Sequence, residues 1–108
     1  MQVQISGQNI EITDALRSHV NTKLDRLTRH FDNLISLNVV LSVDKLEHLA
    51  DGTITGSANF RAHAAATHED MYSSIDLMID KLVTQIRKHK EKLTDRHRRE
   101  ARVAASSR

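Results

Sequence analysis

After Gly56 the chain contains no glycine, and it contains no proline anywhere. A helix that starts in the second half therefore meets no intrinsic stop. One does start there: Met71, Ile75, Met78, Ile79, Leu82, Ile86 and Leu93 recur at helical spacing, and Asp70 before them can cap the first turn. The pattern predicts a helix to about Arg99, roughly thirty residues and on the order of 45 Å at about 1.5 Å per residue. Short strands cannot cover that length, so the last turns are expected to project from the body, with Ala104 to Arg108 frayed.

Upstream the apolar period changes several times, and each change marks an element. Val3 and Ile5 alternate with Gln2, Gln4 and Ser6, a short strand halted by Gly7. Thr13 is an N-cap candidate, followed by Leu16, Val20, Leu24, Leu27 and Phe31 on one helix face. Leu37, Val39, Leu41 and Val43 alternate with Asn38, Val40, Ser42 and Asp44, which is the period of a half-buried strand. Glu47 to Gly52 reads as a polar break with Asp51-Gly52 as a turn dipeptide. Thr53 to Ala66 reads as a hairpin bending near Asn59, with Ile54, Ala62, Ala64 and Ala66 facing inward. Small alanines there let a helix approach the sheet.

The resulting order, β-α-β-β-β-α, is an α+β fold: a four-stranded sheet with two helices packed on one face, as in a double-stranded-RNA-binding domain. Each helix must bury its stripe against the one available sheet. The first crossover is expected to be right-handed, and the other face, of Gln, Ser, Thr and Asn, can stay wet. At 108 residues one modest core is expected, with a domain over residues 1–95 and a basic helix end and flexible tail over 96–108. Hydrophobic residues at 39% and charged residues at 28% fit a folded chain and not a disordered one. The lack of cysteine excludes disulfides, thiolate zinc sites and thiol catalysis. No run approaches the roughly 20 apolar residues of a membrane span, and no signal peptide is evident. A cytoplasmic protein is expected.

Charge is divided unequally. Arg87 to Arg108 holds nine Lys/Arg against three Asp/Glu, 9 − 3 = +6, and Met1 to Ile86 holds seven against eleven, 7 − 11 = −4. That asymmetry points to a polyanion. At 100° per residue, Lys23, Arg26, His19 and His30 share one flank of the first helix. On the second, Lys81, Lys88, Lys92 and Arg99 lie within about 40° of the direction opposite the buried stripe, with few acids nearby. Arg87 falls on another flank, close in angle to Asp76 and Asp80, which should partly neutralise it. Solvated helix faces account for single lysines, but an uncompensated row suits a phosphate backbone. Two adjacent helices could form a basic groove.

There is no zinc finger, recognisable helix-turn-helix or bZIP heptad pattern. The aromatics are Phe31, Phe60 and Tyr72. Phe31 lies on the apolar stripe and Tyr72 at a helix start, so a base-stacking platform is poorly supported and backbone recognition of structured RNA fits better.

The segment Asp70-Met71-Tyr72-Ser73-Ser74-Ile75-Asp76, continuing through Asp80-Lys81-Leu82 to Gln85-Ile86-Arg87-Lys88-His89-Lys90, resembles the signature helix of the bacterial ribosome hibernation factors. These are the short hibernation-promoting factor and the ribosome-associated inhibitor, a sigma-54 modulation protein-like family. Ile5-Ser6-Gly7, Glu11 to Arg17 and Val39-Val40-Leu41 resemble it too, so the likeness spans about residues 1 to 95. The resemblance implies the same fold and a stationary-phase stress protein. Such a protein binds the small (30S) ribosomal subunit in the mRNA and tRNA channel and inhibits translation without chemistry. It implies rRNA contacts by Lys23, Arg26, Lys81, Arg87, Lys88, Lys90 and Lys92, and joint action with a small ribosome modulation factor. The missing acidic tail favours the dimer-promoting form, whereas His68-Glu69-Asp70 resembles the inhibitor, so the subtype stays open. A long form with its own dimerisation domain is not expected at this length.

Other classes find less support. The chain has no HExxH motif and no Gly-rich phosphate loop, so neither catalysis nor a metal, cofactor or small-molecule substrate is expected. Thr94 to Arg108 has only Val103 as a sizeable apolar residue, too little to insert into a membrane. The serious alternative is a general binder of structured RNA.

Overall fold

The computed structural model describes residues 1–31 and 33–106, and their side chains except His30 and those from 92 onward. In chain order the elements are β1 (Gln2–Gln8), α1 (Asp14–His30), β2 (Leu34–Asp44), β3 (Glu47–Gly56), β4 (Arg61–His68) and α2 (Met71–Ser106). The sheet runs β1-β2-β3-β4, with β1 and β2 parallel across the α1 crossover and the other pairs antiparallel. The expected β-α-β-β-β-α order stands.

Alternation along the strands produces the core. Leu37, Val39, Leu41, Ala50, Ile54, Ala62, Ala64 and Ala66 are buried, and they join Leu16, Val20, Leu24 and Leu27 of α1 and Ile75, Met78, Ile79, Leu82 and Ile86 of α2 in one cluster. Both helices therefore cover one face of the sheet. The opposite face exposes Gln2, Gln4, Ser6, Asn38, Arg61 and His63. Thr13 caps α1 as its spacing predicts, its Oγ1 accepting from the Leu16 N–H at 3.2 Å. Asp70 does the same for α2, its Oδ2 accepting from the Ser73 N–H at 3.3 Å.

Two boundaries differ from expectation. The chain turns between β2 and β3 at Lys45-Leu46, with Lys45 in the left-handed region at φ 57°. Asp51-Gly52, expected as the turn, lies mid-strand in β3 and pairs with β2 and β4. A β-carbon at Gly52 would lie 2.5 Å from Sδ of Met78 and 3.3 Å from Leu82. Glycine is needed there for the close approach of α2, and a lysine takes the strained turn position instead. The second difference is length: α2 reaches Ser106, 36 residues, beyond the predicted end near Arg99, because nothing in the sequence interrupts it. The tail from 104 and the side chain of Lys92 lie outside the residues whose side chains are described.

The hairpin bend falls where expected. Ser57-Ala58-Asn59-Phe60 connects β3 to β4, with Ala58 and Asn59 both left-handed (φ 58° and 61°) and the Phe60 N–H donating to the Ser57 carbonyl at 3.3 Å. Two successive left-handed residues match the twist of an antiparallel pair.

Candidate nucleic-acid interface

Along α2 the charged residues divide by what faces them. In the first half, Asp76 and Asp80 point at α1. His19 Nε2 lies 2.7 Å from Asp76 Oδ1, Lys23 Nζ lies 3.8 Å from the same oxygen, and Arg26 Nη1 donates to Asp80 Oδ1 at 2.9 Å. Tyr72 packs edge-on against the His19 ring, centroids 5.0 Å apart. The space between the helices is thus a charge-paired seam at this level, not an open basic groove. Lys23 and Arg26 reach solvent, but each has a carboxylate beside it.

The other side of the same half of α2 faces β4, an edge strand. Lys81 Nζ donates to the Ala65 carbonyl at 2.8 Å, and the Gln85 amide donates to the His63 carbonyl at 2.7 Å. These side chains satisfy outward carbonyls that an edge strand otherwise offers to other chains. Lys81 keeps its charge at the surface, yet its amine is engaged with the fold.

Past Ile86 the pattern changes. Arg87 and Lys88 are exposed, and neither forms an ion pair or side-chain hydrogen bond among the described residues. Angle alone placed Arg87 beside Asp76 and Asp80, but seven residues separate it from Asp80, about 10 Å along the axis. Both acids are taken by α1. Lys90 Nζ sits 5.1 Å from the centroid of the Phe31 ring, where α1 ends. Between Arg87 and Glu91 three cations thus meet one carboxylate, and Arg87 and Lys88 can give up counterions to a phosphate without first breaking a contact.

Of the residues singled out from sequence, α1 and the first half of α2 bring Lys23, Arg26 and Lys81 into intramolecular contacts. The second half gathers Arg87, Lys88 and Lys90. The side chain of Lys92 is not among those described. Sequence reasoning missed the aromatic content of this end. Phe60 stacks on His89 at 4.4 Å between centroids, tilted 35°. The two residues are far apart in sequence, and only the hairpin bend brings them together. Among the described residues no group of three or more His, Cys, Asp or Glu side chains is placed to hold a metal ion, and no helix is long and apolar enough to cross a membrane.

A family described as sigma 54 modulation protein / S30EA ribosomal protein matches residues 3–94, nearly the whole described fold. The chain belongs to this family. The S30EA assignment agrees with the resemblance carried by the segment from Asp70 to Lys90. A ribosome hibernation promoting factor from Azotobacter vinelandii is 48% identical over 96 residues, which cover 89% of each chain. A ribosomal subunit interface protein from Coxiella burnetii superposes with a TM-score of 0.79 at 31% identity, over 84% of this chain and 99% of that one. The N-terminal domain of Protein Y from Thermus thermophilus superposes at 0.76 with 32% identity, over 82% and 99%. Both structures superpose on the mixed four-stranded sheet and its two helices.

Proposed function

We propose that this chain is a ribosome hibernation factor that binds the small ribosomal subunit and holds ribosomes inactive without chemistry. The observation that carries the reading is the 48% identity to a ribosome hibernation promoting factor over 89% of both chains. The charge distribution supports it: the fold pairs or engages its cations along the seam and the β4 edge, then leaves Arg87 and Lys88 open beside Lys90. These residues, with Lys92 further along the helix, form the primary rRNA contact. Lys23, Arg26 and Lys81 stand at its margin and join once RNA competes for their present partners. The site is the mRNA and tRNA channel, where a long cationic helix lies along phosphates and excludes translation ligands. The protein acts in the cytoplasm in stationary phase, and with a small modulation factor it favours inactive ribosome dimers.

Co-sedimentation with ribosomes on sucrose gradients, at low and moderate salt and with or without that factor, tests the reading. Salt-sensitive migration with the small subunit is the expected result, and a dimer peak dependent on the factor is expected with it. Protein that stays at the top of the gradient yet retains naked duplex RNA would replace the reading with a general structured-RNA binder.

A further inference from the structure

The two edges of the sheet are finished differently. On β4, Lys81 and Gln85 donate to the Ala65 and His63 carbonyls, so α2 occupies two acceptors of that edge. The other edge is β1. It pairs with β2 over all seven residues without a bulge, and among the described residues no loop backbone bonds to its main chain. A strand so placed turns a row of unpaired N–H and C=O groups outward, a row that proteins commonly block with lysine, proline or a bulge. Gln2–Gln8 has none of these and carries no charge. Val3 and Ile5, in register with buried Leu37 and Val39 on the helix-covered face, are themselves only half-buried.

We infer that β1 is a self-association edge, where a second copy of this chain adds its own β1 antiparallel and completes an eight-stranded sheet. A two-fold axis at Ile5 gives full overlap of the two strands. Ile5 then faces itself and Val3 faces Gly7 on the helix side, while Gln4 faces Ser6 and Gln2 faces Gln8 on the wet side. No like charges meet in this register, and both half-buried apolar side chains gain cover. Gly7 leaves the space above it to Ile12, whose Cδ1 lies 3.2 Å from where a β-carbon would stand, so Val3 of the second copy meets an apolar neighbour.

The helices fit the same arrangement. Strands about 4.8 Å apart and helices about 8–10 Å apart give two helices to every four strands, and the two-fold axis keeps that ratio on one face. At 100° per residue the flank of α1 turned away from α2 carries Asp14, Arg17, Asn21 and Thr28. That is one anion and one cation, so no net charge opposes the approach. A foreign strand could use the backbone groups alone, whereas a second copy also matches side chains pair by pair and closes both open edges at once. The junction is small, so the dimer is weak and forms with rising concentration. It lies at the edge away from α2, which leaves Arg87 and Lys88 open.

Sedimentation equilibrium of the full chain over a range of concentrations tests this edge. The apparent mass is expected to climb from one chain to two and stop there. A single-chain mass throughout overturns the inference, and so does growth past two, since a closed pair has no β1 edge left. Gln4 and Ser6 are exposed, so Gln4→Lys with Ser6→Lys should keep the fold, which urea unfolding checks. Its lysines oppose each other across the junction, and dimerisation should weaken about tenfold. Gln4→Glu with Ser6→Glu should be as weak alone, while an equal mixture of the two variants should pair at least as well as wild type. A lysine variant that dimerises like wild type places the contact elsewhere and overturns the inference. So does a chain that stays single yet loses small-subunit affinity on gaining the two lysines, because the edge then takes a strand of a ribosomal protein.

Discussion

The two halves of α2 carry similar charged residues and do different things with them. From Asp70 to Gln85 the polar side chains serve the fold: Asp70 caps the helix, Asp76 and Asp80 clasp α1, and Lys81 and Gln85 close the β4 edge. From Arg87 onward the helix has passed its last described buried residue, Ile86, and the charges of Arg87 and Lys88 have no protein partner among the described residues. A cation's role here follows from what lies opposite it more than from its place on a helical wheel. Position along the helix axis decides what lies opposite.

The largest expected effect comes from reversing the free charges. Arg87→Glu with Lys88→Glu should lower small-subunit affinity on the order of a hundredfold at low salt and reduce the slope of log affinity against log salt by about two. Thermal unfolding should hardly move, because both side chains are exposed and neither forms an ion pair or side-chain hydrogen bond among the described residues. A double variant that folds and binds as wild type would end the division of α2 proposed here.

The opposite dissociation is expected at Gly52. Alanine there places a methyl group against the fully buried Met78 and Leu82, and overpacking of this kind costs about 1–3 kcal/mol. Urea unfolding should show that loss, while the folded fraction binds ribosomes with wild-type affinity. Unchanged stability would mean that α2 can lift from the sheet without cost, and the seam geometry would then need another anchor.

These cases mark what the sequence could disclose. Apolar periods place all six elements in order and the core, though not the start of β3, because burial imposes its period directly on residue type. The β2–β3 turn is hidden: Asp51-Gly52 has turn chemistry, but its glycine serves helix packing, and Lys45 carries no mark of its left-handed backbone. The cationic flank of α1 is legible as a flank, yet its pairing with Asp76 and Asp80 depends on the distance between two helices that meet only in three dimensions. The Phe60–His89 stack escapes for the same reason.

A smaller effect separates the seam from the free end. Asp80→Asn releases Arg26 from an exposed ion pair, which contributes about 0–1 kcal/mol. Stability should fall by no more than that. Affinity for the small subunit should rise a few-fold at low salt, since one negative charge leaves the neighbourhood of the polyanion and one guanidinium becomes available. A drop in affinity would show instead that Asp80 holds Arg26 in its binding position, and the seam would then belong to the interface.

The smallest effect lies at the start of α2, where a charge acts wholly on the fold. The Ser73 hydroxyl donates to Asp70 Oδ2 at 3.0 Å, and this bond, aided by the Ser73 and Tyr72 backbone N–H groups, holds the Asp70 carboxyl below its ordinary value of 3.8. A depressed carboxylate contributes stability that is present above its unfolded pKa and is lost as pH falls through the lower folded value. The cap should therefore loosen only in solution more acidic than that which protonates an ordinary Asp carboxyl, with the Ser73 and Ser74 amide signals reporting it by NMR. Asn is also a good cap and cannot titrate, so Asp70→Asn should abolish the local acid transition while leaving the helix start formed. Because Asp70 caps the start of α2, about 25 Å along the axis from Arg87 and Lys88, ribosome affinity near neutral pH should be the same in both proteins. Altered affinity in Asp70→Asn would mean that the two halves of the helix are coupled.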